Sequence, residues 1–356
     1  MMGGLTFGKW IQVLRENNFA VTPSCLPRAM AITVLSLQNT IFHWADQRRL
    51  GTDLQDVVVP PPLFVLGHWR NGTTFLHNLL TVDERFAFPN SYQTLFPNSC
   101  LTAEAMLSPL FNFLLPKRRT IDNVARNMRS PHEDEFALSI LSFKSPYTGF
   151  VFPHRREHYD KYLTLRDVSG REIAEWQDTF SLFLKKMTWK LKRPLILKSP
   201  PHTCRIKLIL QMFPQAKFVH IHRNPYAVFS SSRKMFQANF DWHGLQRARL
   251  DDLDDWVLRQ YREMYDVFFE ERHLIPSGHF HEIAFEELEQ DPLGQVQRLY
   301  EALELPEFSQ CETAMRSYVA SLAGYQKNQF PSLPSELRQR IAQEWQASFT
   351  EWGYSQ

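Results

Sequence analysis

Residues Gly67–Thr74 read GHWRNGTT and follow directly on the apolar run PPLFVL. A buried strand that breaks into two glycines five residues apart, then into a helical stripe (Phe75, Leu76, Leu79, Leu80), has few folds open to it. The chain must turn sharply at the strand end, so its polar loop lies at a helix N-terminus, where free backbone N–H groups and the helix dipole favour an anion. The spacing is that of the phosphate loop G-x-x-x-x-G-K-[ST], but Thr73 replaces the lysine after the second glycine. Charge comes instead from Arg70, a planar guanidinium, with Thr73 and Thr74 as hydroxyl donors and the amides of Asn71 to Phe75 as the cradle.

Two further apolar runs, PLIL (Pro194–Leu197) and KFVHIH (Lys217–His222), are each followed by a helical stretch. Strands alternating with helices predict an α/β fold: a phosphate-loop-type central parallel sheet flanked by helices, with ligands at the carboxyl ends of the strands. Lys198 follows the second strand, and Arg223 ends the third, with Pro225 placed to open a helix and Ser231 eight residues on. An arginine and a serine at that spacing can converge on one phosphate. No Asp or Glu occurs between Thr179 and Phe240, while Lys198, Arg205, Arg223 and Arg233 are among the basic residues there. In a chain of net charge +2 this argues for a ligand with two separate anionic groups rather than for nucleic acid.

Elsewhere the sequence is read more coarsely. Residues 1–60 form an N-terminal helical segment packed on the core, residues 61–356 the α/β domain, and the whole is expected as a single domain. Phe86–Arg129, rich in proline, reads as an irregular or short-helical cover and contributes a mostly helical lid. A helix is expected from Pro131, with Glu133, Asp134 and Glu135 in its first turn. The four cysteines are scattered, with no zinc spacing, and no metal is expected. No transmembrane segment or leader is read, which makes a cytoplasmic protein the default; contact with a membrane surface and the oligomeric state stay open.

These residues resemble the sulfotransferases that use 3′-phosphoadenosine 5′-phosphosulfate (PAPS), most closely the branch that includes bacterial and tyrosyl-protein sulfotransferases. RNGTT (Arg70–Thr74) is similar to the loop that holds the 5′-phosphosulfate, LKSP to the segment whose lysine (Lys198) bridges donor and leaving group, and RNPYAVFSS to the grip on the 3′-phosphate by Arg223 and Ser231. The resemblance further implies that Phe285 and Phe75 lie near the adenine and that Lys327 and Asn328 contact the nucleotide from a late loop. It implies PAPS as donor, adenosine 3′,5′-bisphosphate (PAP) as product, a small, apolar hydroxyl acceptor, and no need for the missing lysine, which in nucleotide hydrolases serves a γ-phosphate. Cytosolic hormone sulfotransferases carry a histidine two residues after the strand-end lysine; here that residue is Pro200. The general base is therefore expected as in the tyrosyl-protein type, at Glu133, with Glu135 and His132 as the other candidates. A metal-dependent nucleotide kinase or hydrolase, and a binding module without turnover, are the competing readings.

Overall fold

A computed structural model describes residues 1–50, 54–114, 127–324 and 331–356 of the chain. Four parallel strands form the sheet: β1 (Leu63–Leu66), β2 (Ile196–Lys198), β3 (Lys217–His222) and β4 (Phe280–Ala284), in the order β2-β1-β3-β4. β1 is fully buried and alternates between the two faces. Phe64 and Leu66 join the larger core with Leu197 and Phe218, while Leu63 and Val65 join a second core with Ile196, Val219, Ile221 and Leu76. Two covered faces explain why the strands read as continuous apolar runs.

The register places Val65 opposite both Lys198 and Val219, so β1 runs one residue and β3 three residues past the end of β2, all at the same end of the sheet. The chain leaves β1, pairs β2 on one side, and returns across β1 to pair β3 on the other. That reversal is a topological switch point, the place where an open parallel sheet leaves a crevice for a ligand.

Some expectations are corrected. β4 went unread in the sequence: it is an edge strand in which Ile283 alone is buried, so no apolar run marks it. The helix expected from Pro131 spans Glu135–Leu141, with Asp134 at its N-cap. Pro131 instead bridges to Asn90, and Asp134 is drawn inward to long-range partners, which leaves Glu133 ahead of the helix. Helix Gly170–Leu191 is opened by a capping box between Ser169 and Glu172.

At the N-terminus, helices Phe7–Glu16 and Leu26–Leu50 pack on the larger core through Trp10, Val13, Leu14 and Ile32. The 86–129 segment carries short helices at Ser91–Leu95 and Glu104–Leu114 within its described part.

Candidate active site

The loop after β1 is built to hold an unusual backbone. Gly67 has φ 141° and Gly72 φ 98°. A Cβ on Gly67 would fall 2.6 Å from the Ile221 carbonyl, and one on Gly72 2.3 Å from the Phe285 ring. Arg70 also takes a left-handed φ of 73°, which costs a non-glycine residue about 1–3 kcal/mol. Contacts from several directions hold it there. Arg70 Nε donates to Ser231 Oγ at 2.8 Å, and Arg223 Nη1 donates to the Arg70 carbonyl at 3.1 Å. Asn71 Nδ2 donates to the Ile221 carbonyl at 2.9 Å and to Tyr265 Oη at 2.7 Å, and the Gly67 amide donates to Thr203 Oγ1 at 2.8 Å. Asn71 Oδ1 is buried without a hydrogen-bond partner.

Arg70, Arg223 and Ser231, read from separate motifs, therefore meet in one place. Arg223 lies 4.2 Å from the Phe285 ring centroid and has no carboxylate at ion-pair distance among the described residues. Its pKa is lowered, first by burial and also by the charge of Arg70, against the pull of Glu286. A desolvated arginine beside a second arginine is a place that an anion would stabilise. Phe75 is half-buried against the second core at the start of helix Thr73–Leu80. Lys327 and Asn328 lie outside the described residues.

Lys198 is nearly inaccessible at the end of β2. Its Nζ donates to Glu133 Oε1 at 2.6 Å and lies 3.4 Å from Thr74 Oγ1. Glu133 Oε2 accepts from the Tyr147 hydroxyl, which itself accepts from Trp69 Nε1 at 3.0 Å. Burial and the neighbouring Glu133 carboxylate raise the Tyr147 pKa well above its ordinary value, so it keeps its proton and acts as a donor. Glu133 and Trp69, Arg70, Thr73, Thr74, Phe136, Tyr147, Phe150, Pro200, Met235 and Asn239 line an open cleft of about 550 Å³, counting the space at its mouth.

The other candidate bases are engaged elsewhere. Glu135 is fully buried and forms a bidentate pair with Arg205, at 2.7 and 3.2 Å. His132 Nδ1 lies 2.7 Å from Thr94 Oγ1, and its ring packs on Phe136. His202 is buried, with Nε2 2.5 Å from Asp134 Oδ2. The acid-free stretch is also less concentrated than its sequence implies. Lys186 pairs with Asp46, Lys190 with Glu104, Arg205 with Glu135 and Arg233 with Asp254, all acids from other segments. Sequence reasoning missed Tyr147, Tyr265 and Thr203. Each brings one hydroxyl from a distant segment, and nothing local marks it. Among the described residues no group of acidic, histidine and cysteine side chains has the arrangement of a metal site.

A model of the sulfotransferase family matches residues 61–310. The chain is 37% identical, over 99% of its length and 90% of theirs, to omega-hydroxy-beta-dihydromenaquinone-9 sulfotransferase Stf3 of Mycobacterium bovis and of Mycobacterium tuberculosis. Among solved structures, sulfotransferase STF9 from Mycobacterium avium superimposes with a TM-score of 0.74 at 20% identity, covering 96% of this chain and 91% of that one. Sulfotransferase STF1 from Mycobacterium tuberculosis gives 0.66 at 17% identity, covering 95% and 92%. These two likenesses speak for the fold; the family match and the 37% relatives speak for the chemistry. The chain belongs to the sulfotransferase family and transfers the sulfuryl group of PAPS to a hydroxyl acceptor.

Proposed function

We propose that the acceptor is a hydroxyl at the end of a long apolar chain and that Glu133 removes its proton. The observation that carries this reading is the wall of the cleft. Trp69, Phe136, Tyr147, Phe150 and Met235 offer an aromatic and thioether surface around one carboxylate. The polar lining of the cleft is mostly Arg70, Thr73 and Thr74, which the donor's phosphosulfate takes up; with these engaged, a sugar or a charged peptide would have only Glu133 and Asn239 left to replace its water. The relatives with 37% identity carry a name that specifies an omega-hydroxylated dihydromenaquinone, an alcohol of this type.

The donor's 5′-phosphosulfate fits the amides of Asn71 to Phe75, the hydroxyls of Thr73 and Thr74, and Arg70. Its 3′-phosphate fits Arg223 and Ser231, and its base fits the Phe285 and Phe75 rings. The gathering of Arg70, Arg223 and Ser231 supports this arrangement. Sulfuryl transfer needs in-line positioning and compensation of charge on the departing oxygen. Lys198 is placed for the latter, since it already reaches toward Thr74 in the loop. Turning to the bridging oxygen, Lys198 would release Glu133 Oε1, the oxygen it now holds. The carboxylate, still steadied by Tyr147, then takes the acceptor proton while the acceptor oxygen bonds to sulfur. The bond from sulfur to the bridging oxygen breaks, and PAP leaves.

The test is turnover with PAPS on detergent-dispersed primary alcohols of increasing chain length, beside glucose and a tyrosine peptide, with the sulfate ester read by mass spectrometry. Rates that climb with chain length are expected. Preference for glucose or the peptide would overturn the acceptor reading and leave the donor site standing.

A further inference from the structure

Helix Leu26–Leu50 turns most of its large apolar side chains outward. Its inward face is mixed: Ser36, Asn39 and Asp46 are buried beside Ile32 and Leu50. Asp46 accepts from Lys186 at 2.9 Å and from the Leu101 and Thr102 amides, and Asn39 accepts from Ser99 Oγ at 3.1 Å. Its outward face is apolar. Leu26, Met30, Val34, Leu37, Ile41 and Trp44 follow one another at three- or four-residue spacing, each between 50% and 70% exposed. That stripe is about 27 Å long at 1.5 Å per residue. Exposed patches on this scale mark a surface that meets something else.

Charge narrows what that is. The acid on this helix, Asp46, is buried and paired, while Arg48 and Arg49 are exposed just past Trp44. Position narrows it further. Arg28, near the start of the stripe, donates to the carbonyls of Gly244 and Asp241, at the end of the helix Pro225–His243 whose Met235 and Asn239 line the cleft. Trp242, in that same last turn, is 47% exposed. At the other end, Arg49 Nη1 donates to the Leu101 carbonyl, ahead of helix Glu104–Leu114, which exposes Met106, Leu110 and Phe113 at the same helical spacing. No helix among the described residues is long and apolar enough to cross a membrane.

We propose that the outward face of helix Leu26–Leu50 rests on an anionic lipid surface, with Trp242 at the end nearer the cleft and Arg48 and Arg49 toward the headgroups at the other. An apolar face flanked by basic residues, without the length and hydrophobicity of a span, is the pattern of an interfacial helix. This rests on the apolar-chain acceptor: such an alcohol is held in the bilayer, and the cleft adjoining the stripe takes it from there.

The experiment is co-sedimentation of the full chain with vesicles of equal parts phosphatidylglycerol and phosphatidylcholine, and with vesicles of phosphatidylcholine alone. The native chain should bind the anionic vesicles more tightly, with binding weakened by salt. The double variant Val34→Glu, Ile41→Glu, altered at exposed positions, should lose roughly tenfold or more of that binding. Its PAP affinity and its turnover of the best detergent-dispersed alcohol should be unchanged. Arg48→Ala with Arg49→Ala should erase the preference for anionic vesicles. Native protein that ignores both vesicles, or a double variant that binds as well as native, overturns the proposal. So does a native dimer that the double variant breaks apart in sedimentation velocity without any vesicle binding; the stripe would then belong to a second copy. The detergent-dispersed alcohols test the acceptor reading separately, since they need no vesicle.

Discussion

Glu133, Asp134 and Glu135 are neighbours in sequence, and each meets a base from the end of β2 or the segment that follows it: Lys198, His202 and Arg205. The outermost and innermost pairs have the same charges and nearly equal lengths, 2.6 and 2.7 Å. Their surroundings differ. Glu133 keeps 16% of its side chain accessible, lines the cleft, and has a partner lysine with an alternative contact at Thr74. Glu135 and Arg205 are both fully enclosed, and Arg205 spends its remaining donors on the carbonyls of Leu163 and Tyr162. A pair whose members have other partners can open during a reaction. A pair sealed on every side can only hold two segments together. The comparison thus separates a chemical role from a structural one inside three consecutive acids.

The largest effect should come from the outermost pair. Glu133→Gln keeps the side chain's size but removes the proton acceptor, so kcat should fall by about 10²–10⁴-fold, the usual worth of a positioned general base. PAP affinity by calorimetry and the unfolding midpoint should be close to native. Unchanged kcat would move the base elsewhere and dissolve the contrast.

Glu135→Gln should do the reverse. Leaving Arg205 buried opposite a neutral amide should cost about 3–5 kcal/mol of stability by urea unfolding. The fraction that stays folded should keep native kcat and donor affinity. A variant that is as stable as native yet inactive would place Glu135 in the chemistry, against its enclosure.

Arg223→Ala carries the same logic to the other end of the cleft. Arg223 has Phe285 and the Arg70 carbonyl as neighbours but no carboxylate at ion-pair distance among the described residues, so its pairing waits on a ligand. PAP should bind more weakly by about 2–5 kcal/mol. Adenosine 5′-phosphosulfate, which lacks the 3′-phosphate, should lose far less. Equal losses for the two ligands would remove Arg223 from the 3′-phosphate.

What could be read in the sequence follows from where the information sits. β1, β2 and β3 are buried on both faces and end in glycine, lysine or arginine, so each announces both a strand and a site. Family resemblance then attached the donor to Arg70, Lys198, Arg223 and Ser231, and the fold brings Arg70, Arg223 and Ser231 into contact. The unread features depend on distant partners. Asp134 looks like a helix-start acid until His202 and Ser199 arrive from 68 and 65 residues away. The run of bases without acids looks like one field until Asp46, Glu104, Glu135 and Asp254 divide it. Helix Leu26–Leu50 defeats periodicity for a related reason: its apolar residues do not reveal which side faces the core, and the ligation of Asp46 and Asn39 decides it.

The middle pair gives the smallest and most selective test. Burial alone would raise the Asp134 pKa, but His202 and Ser199 outweigh it and hold the pKa below 3.8. A carboxylate depressed in the folded state contributes stability in full above its unfolded pKa and loses it as pH falls through the folded value. Asp134→Asn should therefore be less stable than native by about 1–3 kcal/mol near neutrality, the cost of a weakened buried hydrogen bond. That gap should not shrink through mild acid and should close only below pH 3.8. Both proteins will also weaken between pH 6.5 and about 3, because buried His68 and His77 are held neutral and must be protonated on unfolding. Above about pH 3 both histidines are neutral in either folded protein, so that loss cancels in the difference there, even though the Asp134 charge raises the His77 pKa in the native protein alone. Urea unfolding of both proteins across the acid range measures the gap directly. A gap that already shrinks between about pH 7 and pH 5 would take the titration away from the Asp134 carboxylate. The middle pair would then respond to mild acid, and the line between reactive and structural pairs would run between Asp134 and Glu135 rather than between Glu133 and Asp134.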